Sequence, residues 1–497
     1  MLSRCLLTLT LIATVSSSAW AGSSIPSGFF LGTAIAGFQV EMGCPTIPAD
    51  ECEDRNSDWF EYITSPWIKL NPSLFMKGDP TSLGPGFYET YRDDLSRARN
   101  ELGSNAIRIS IEWSRLFPVA TTGVSAYEDL RQMASPSALE YYHNLISAIR
   151  AQGMVPFVTL NHYTLPQWIH SAVDCHVHLL HCKHRGWVDP AVIVPEIAKY
   201  AGFVAREFGQ DVDYWMTLNE PFSAVVLPSY LLPTPERTNP PGLYLQIEAA
   251  KIANATMIES HAKMYEAIKS GDTVSSVPGA KPAEVGIAYS FFAIRPASNR
   301  PIDLRVAANL KYLMHDQFLD ALTYGRFDPD WSGQTTVRPD LAGHLDFIGV
   351  NYYVRLTPPK FSLGSAVSIT DLLLANPIDA IFDRDAPDGL TQVLVEQSHY
   401  GLPLYVTETG TDASSDTERP RRWLRGTLAA THAAIDRGVD VRGYFYWSLM
   451  DNYEWNHGMD SRFGLFSIDP NDKNKTRVPR SAVNAFREIS MAREWPE

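Results

Sequence analysis

Two stretches decide how this chain is read: DVDYWMTLNEPF, Asp211–Phe222, and LPLYVTETG, Leu402–Gly410. In each, a short apolar run of strand character ends on a glutamate, Glu220 in the first and Glu408 in the second. A carboxyl group at the carboxyl end of a parallel strand is where an α/β barrel carries its chemistry. Two such groups, far apart in sequence yet at equivalent strand ends, are what cleavage of a glycosidic bond requires: an acid for the departing oxygen and a carboxylate on the opposite face of the sugar.

The same pattern recurs along the chain. Apolar runs at Phe29–Ile35, Ala106–Glu112, Val155–Asn161, Tyr214–Leu218, Glu284–Ser290, Asp346–Asn351, Leu404–Thr407 and Arg442–Trp447 alternate with helix-period stretches. The latter lie at Tyr88–Leu102, Ser137–Gln152, Pro190–Phe208, Pro241–Ser270, Arg305–Tyr324, Pro387–Tyr400, Arg419–Arg437 and Ser481–Arg493. Strands each followed by a helix predict an α/β fold, a single (β/α)8 TIM barrel with long loops on its C-terminal face. An open doubly wound sheet would carry a glycine-rich phosphate turn after its first strand, and GTAIAG, Gly32–Gly37, lacks the G-x-G-x-x-G spacing. Insertions at Gly43–Gly86, Asn219–Gly242 and Val354–Asp388 all follow strands and are predicted to rim the active face.

Composition bounds the partners. The 497 residues are 45% hydrophobic and 20% charged, ordinary for a soluble protein with a large core, and barrels of this length form one unit. The net charge is −14 with no basic stripe, which argues against nucleic acid and anionic membrane as partners. Residues 1–21, MLSRCLLTLTLIATVSSSAWA, have the three parts of a secretory signal: Arg4, the apolar run Cys5–Val15, and the small-x-small site Ala19-Trp20-Ala21. The apolar run is too short to span a bilayer, so cleavage near Ala21-Gly22 is expected over a retained anchor. That leaves a catalytic barrel over 22–497, secreted or periplasmic, without membrane insertion.

Export leaves four cysteines in the mature chain, Cys44, Cys52, Cys175 and Cys182. They allow three connectivities, and the pairing of sequence neighbours, Cys44–Cys52 and Cys175–Cys182, is expected in an oxidising compartment. His176, His178, His181 and His184 surround the second pair, but the spacings fit no standard zinc pattern, so no metal is expected there.

Chain-wide, the sequence resembles glycoside hydrolase family 1, the retaining β-glucosidases and β-galactosidases. The resemblance runs from Gly28 to about Pro470 through FFLGTAIAGFQVE, IRISIEWSRLFP, TLNHYTLPQWI, TLNEP, DFIGVNYY, YVTETG and YWSLMDNYEWNHGMDSRFGLF, in that order. AGFQVEMG followed by RNSDWF is most similar to the archaeal-type branch. The family implies a small-molecule or oligosaccharide β-glycoside as substrate and no cofactor.

Carried over by position, the resemblance implies that Glu220, in TLNEP, is the acid/base and Glu408, in YVTETG, the nucleophile. Arg108, Asn219 and Tyr353 match residues that support the nucleophile and the transition state, Asn219 by reaching the 2-hydroxyl. Gln39, His162, Glu454 and Trp455 match glycone-binding positions, Trp447 the platform beneath the ring, and Asn351 and Phe463 further lining residues. Thr409 departs from the family's usual asparagine after the nucleophile, which bears on fine substrate preference more than on activity. Glu454 stands where a carboxylate would repel a 6-phosphate, so a phosphorylated substrate is not expected. Two readings compete: a silent sugar-binding relative, and a transglycosidase that passes the glycosyl group to another acceptor. Both glutamates are present, which speaks against the first.

Overall fold

The computed structural model describes residues 23–277, 281–358 and 381–496. The expected signal segment, 1–21, lies outside them.

Eight strands form the barrel: β1 (Phe30–Ala34), β2 (Ala106–Ser110), β3 (Val155–Asn161), β4 (Tyr214–Asn219), β5 (Glu284–Ile294), β6 (Phe347–Thr357), β7 (Leu404–Thr409) and β8 (Val441–Trp447). Every neighbouring pair is parallel, and closure is made by β8 against β1, as in Ala34 beside Trp447. β2 is buried at all of its positions, as expected of a strand covered on both faces. The outer helices show why their periodicity was readable. In Pro136–Ala151 the buried set Ala138, Leu139, Tyr141, Tyr142, Leu145, Ile146, Ala148 and Ile149 makes one stripe. Pro136 opens that helix, and the Ser135 hydroxyl caps it by accepting from Ala138 N at 3.4 Å.

Two cores result. A large one lies between strands and helices, and a smaller one fills the barrel's interior. There Phe30, Phe157, Tyr214, Phe347, Tyr405 and Phe445 pack ring against ring; Phe157 and Tyr214, for example, stack at 4.3 Å. This aromatic plug occupies the lower barrel, leaving the upper, C-terminal end for a cavity.

The structure corrects several expected boundaries. The helix expected from Pro241 begins at Ile247, because Pro240-Pro241-Gly242 forms a turn in which Gly242 has φ +68°. β5 and β6 run past their expected ends, pairing Ala293 with Arg355 and Ile294 with Leu356, and a short antiparallel strand, Ile381–Asp383, adds to them. Part of the insertion expected as a loop is thus a sheet extension rising above the barrel; residues 359–380 of it lie outside the described set. Among the described residues, no helix is long and apolar enough to cross a membrane.

Both expected cysteine pairs are bonded, with Cα separations of 6.1 Å for Cys44–Cys52 and 5.0 Å for Cys175–Cys182. Each closes a short loop and should stabilise the fold by about 2–3 kcal/mol at most. Reduction is therefore expected to lower Tm by several degrees while leaving most of the activity at 25 °C. Equal losses of Tm and kcat would show that the loops hold the site itself.

Candidate active site

A cavity of about 830 Å³ opens at the C-terminal end of the barrel. Of the expected residues, Gln39, His162, Glu220, Tyr353, Glu408, Trp447, Glu454, Trp455 and Phe463 line it. Arg108, Asn219 and Asn351 are fully buried behind that lining.

Local backbone irregularities deliver the two glutamates. The β4–β5 register shifts between Met216 and Asn219, and β7 shifts against both β6 and β8 just beyond Val406. Such bulges bend a strand end and re-aim its side chains. Glu220 then adopts a left-handed conformation, φ +44°, and caps a π-type helix, Pro221–Leu231. Tyr163 and Trp455, also on the cavity wall, have φ of +76° and +50°. Non-glycine residues held there cost on the order of 1–3 kcal/mol each, and they cluster where function requires an unusual geometry.

The two carboxyls differ in their partners. Glu408 accepts from Arg108 Nη1 at 2.5 Å and from the Tyr353 hydroxyl at 2.7 Å. Among the described residues Glu220 accepts only from neutral groups, Asn351 Nδ2 at 2.9 Å and the Tyr163 hydroxyl at 3.1 Å. Asn219 ties the halves together. Its Oδ1 accepts from Arg108 Nη2 and Asn351 Nδ2, and its Nδ2 donates to the Tyr163 hydroxyl and lies 3.2 Å from His162 Nε2. Thr159 and Thr407 hold the rear of this network, at Arg108 Nε and Asn351 Oδ1.

Burial above all pushes the Glu408 carboxyl up to about 7; the Glu220 charge adds to that, and Arg108 and Tyr353 oppose it. Of the two carboxyls, among the described residues, Arg108 bonds only Glu408, and its positive charge favours the ionised form there. The arrangement can thus present two carboxyls in different electrostatic settings, one on a cation and one on neutral donors, to a single bound group.

The sugar-facing side is equally built. His162 is held neutral by burial, reinforced by Arg108 and Arg237. With Nε2 facing the Asn219 amide hydrogen, its proton sits on Nδ1, which has no protein partner. The ring stacks against Trp447 and Trp455, with interplanar angles of 19° and 13°. Gln39 Nε2 donates to Glu454 Oε2 at 3.0 Å, and Gln39 Oε1 has no partner.

Three expectations need correction. Asn351 does not line the cavity; its amide is engaged with Glu220, Asn219 and Thr407, so it supports the carboxyls from behind. Thr409 points away from the site, its hydroxyl accepting from Trp423 Nε1 at 3.0 Å, so the departure after Glu408 does not reach the pocket. Glu454 is not a lone negative charge: Arg237 Nη2 lies 3.5 Å from its Oε1, which weakens the argument that charge repulsion there excludes a 6-phosphate.

Tyr163 and Arg237 were not anticipated as site residues. Tyr163 adjoins His162 within a quoted motif, but only its left-handed backbone turns both side chains inward. Arg237, a single arginine in PTPERTNPPG, has no local signal at all.

Comparison with known proteins agrees with this geometry. The family model described as glycosyl hydrolase family 1 matches residues 22–495. The β-galactosidase of Pyrococcus woesei is 35% identical over 93% of this chain and 96% of its own. Among solved structures, the β-glycosidase of Thermosphaera aggregans superposes with a TM-score of 0.79 at 28% identity, covering 96% of this chain and 98% of that one. The β-glucosidase of Pyrococcus furiosus gives 0.78 at 30% identity, over 95% and 97%.

Proposed function

The chain belongs to glycosyl hydrolase family 1 and is a β-glycosidase, and from that premise we propose an exported, retaining exo-enzyme that removes terminal β-D-glucosyl, β-D-galactosyl and β-D-fucosyl residues. The observation that carries this reading is the asymmetry of the two cavity carboxyls: among the described residues Glu408 is bonded to a guanidinium and Glu220 to neutral donors only.

The reaction follows from that asymmetry as a double displacement. Glu408 attacks the anomeric carbon while Glu220 gives its proton to the leaving oxygen, forming a glycosyl ester and a free alcohol. Glu220, now ionised, takes a proton from water, whose oxygen attacks the same carbon and releases Glu408. Arg108 and Tyr353 hold the nucleophile ionised and aimed. Trp447 supplies the platform for the glycone. Gln39, His162 and Glu454 supply partners for its hydroxyls, with Glu454 receiving those at C4 and C6. A carboxylate accepts over a broad arc, so either orientation at C4 is accommodated, and a β-fucoside loses only the C6 partner.

The test is a panel of aryl β-glycosides, with the first-formed anomer followed by NMR. Glucoside, galactoside and fucoside are expected within a few tens-fold of one another in kcat/KM, with the β-anomer released first. An α-anomeric first product overturns the assignment. It would place the carboxyls in the inverting class, about 6.5–9.5 Å apart, instead of about 5–5.5 Å.

The pH profile carries a second expectation. The attack needs Glu408 ionised, and burial pushes that carboxyl up to about 7. The rate should therefore fall on the acid side of that point, about tenfold per pH unit as Glu408 takes up a proton. A flat profile from pH 4 to 7 would contradict a raised Glu408.

A further inference from the structure

Arg237 is fixed in place by a clasp between two loops. Asn456 Nδ2 donates to Pro235 O at 3.0 Å, Thr238 N donates to Asn456 Oδ1 at 3.2 Å, and His457 Nε2 lies 3.1 Å from Glu236 O. The Thr234–Arg237 turn closes on itself, with Thr234 N donating to Arg237 O at 2.9 Å. This docks the insertion after β4 onto the segment that carries Glu454 and Trp455. The guanidinium comes to rest 5.5 Å from the Tyr163 ring centroid and 5.9 Å from that of Trp455, within cation–π range of both. Its Nη2 faces Glu454 Oε1, and a quarter of the side chain remains exposed, on the cavity wall.

The groups that face Glu454 are few. Gln39 donates one amide hydrogen-bonding nitrogen, which it shares with Asn452 Oδ1 and Tyr453 O. His457 acts on it through charge, and Glu220 repels it from across the cavity. Among the described residues Arg237 is the one cation paired with it. Burial drives the Glu454 carboxyl upward, and Arg237 is the main influence holding it down.

We propose that Arg237 is a specificity-determining positioning residue: by pairing with Glu454 it keeps that carboxylate an ionised double acceptor, and so sets how strongly the pocket demands a hydroxymethyl group at C6 of the glycone. The inference rests on the β-glycosidase reading and on Glu454 receiving the C4 and C6 hydroxyls. An ionised carboxylate accepts at both oxygens, whereas a protonated one must donate through one of them and accepts weakly at the other. Without Arg237, Glu454 would be a buried carboxyl facing Glu220 with only a shared amide as donor, and burial would push it further toward its protonated form.

The test compares a 4-nitrophenyl β-glucoside with the β-xyloside, which is the same sugar without its C6 group. In Arg237→Met the glucoside-to-xyloside ratio of kcat/KM should fall about tenfold at pH 7, the difference between a hydrogen bond to a charged and to a neutral acceptor. The ratio should recover as the pH is raised and Glu454 ionises unaided; effects on the catalytic pair cancel in it. Arg237→Lys should keep most of the wild-type ratio. In a Glu454→Gln background, where no charge remains to hold, Arg237→Met should leave the ratio unchanged. An unaltered ratio in Arg237→Met, or the same fall with and without Glu454, overturns the proposal. Wild-type protein inactive on both glycosides would overturn the β-glycosidase reading itself, which is a separate outcome.

Discussion

Glu408→Gln is expected to lose about a millionfold in turnover, the order of magnitude seen when a covalent nucleophile is removed from an enzyme. The amide keeps the size and shape of the carboxylate but cannot form the glycosyl ester. Among the described residues no other carboxylate is bonded to Arg108, so the loss cannot be made up by a neighbour. The fold should survive, since one oxygen still accepts from Arg108 and the change leaves no cavity. A thermal midpoint within a few degrees of wild type, together with unchanged binding of a glucose-like inhibitor, would localise the effect to chemistry. Residual activity above a thousandth of wild type would show that Glu408 is not the nucleophile. A small external anion should not restore the overall retaining reaction, because any product it helped to form would have inverted configuration.

Glu220→Ala is expected to fall by about 10²–10⁴-fold, the range that general acid–base catalysis contributes. The size of the loss should depend on the leaving group. A dinitrophenolate departs without a proton, so its glycoside should form the glycosyl ester at near wild-type rate and then stall, giving a burst. An alkyl glycoside should show no burst. Azide, small enough to enter the space vacated by the side chain, should attack the stalled ester and release a β-glycosyl azide, restoring turnover. If azide fails to accelerate the reaction and the two classes of leaving group lose equally, Glu220 has another role or the site has collapsed.

These expectations rest on features of unequal legibility. The eight-fold alternation was readable because a buried parallel strand is a continuous apolar run and an outer helix has one apolar stripe, both local properties of sequence. The glutamates stood out because each ends such a run. What lay beyond reach depends on backbone detail or on contacts between distant loops. Nothing in TLNEP or YVTETG announces a bulge, yet the register shifts beneath both motifs aim their carboxyls. Asn351 follows an apolar run just as Glu220 does, and its side chain nevertheless serves the network behind the wall. Thr409 sits next to Glu408 and, since alternate residues of a strand face opposite ways, points to the helix layer. Arg237 reaches Glu454 across 217 positions of sequence, and no short-range pattern encodes such a meeting.

The ring-packed plug beneath the site has a kinetic consequence. With the bottom of the barrel stopped by Phe30, Phe157, Tyr214 and Tyr405, traffic is last in, first out. The cleaved alcohol must leave before the sugar behind it, and the molecule that resolves the ester must come in through the mouth just vacated. A polymer cannot thread through, so each catalytic cycle ends in full release. Water and any alcohol then compete for one doorway, and at high substrate concentration the next glycoside itself becomes the nearest acceptor. Oligosaccharide by-products should therefore increase with substrate concentration, set by queueing at a single entrance.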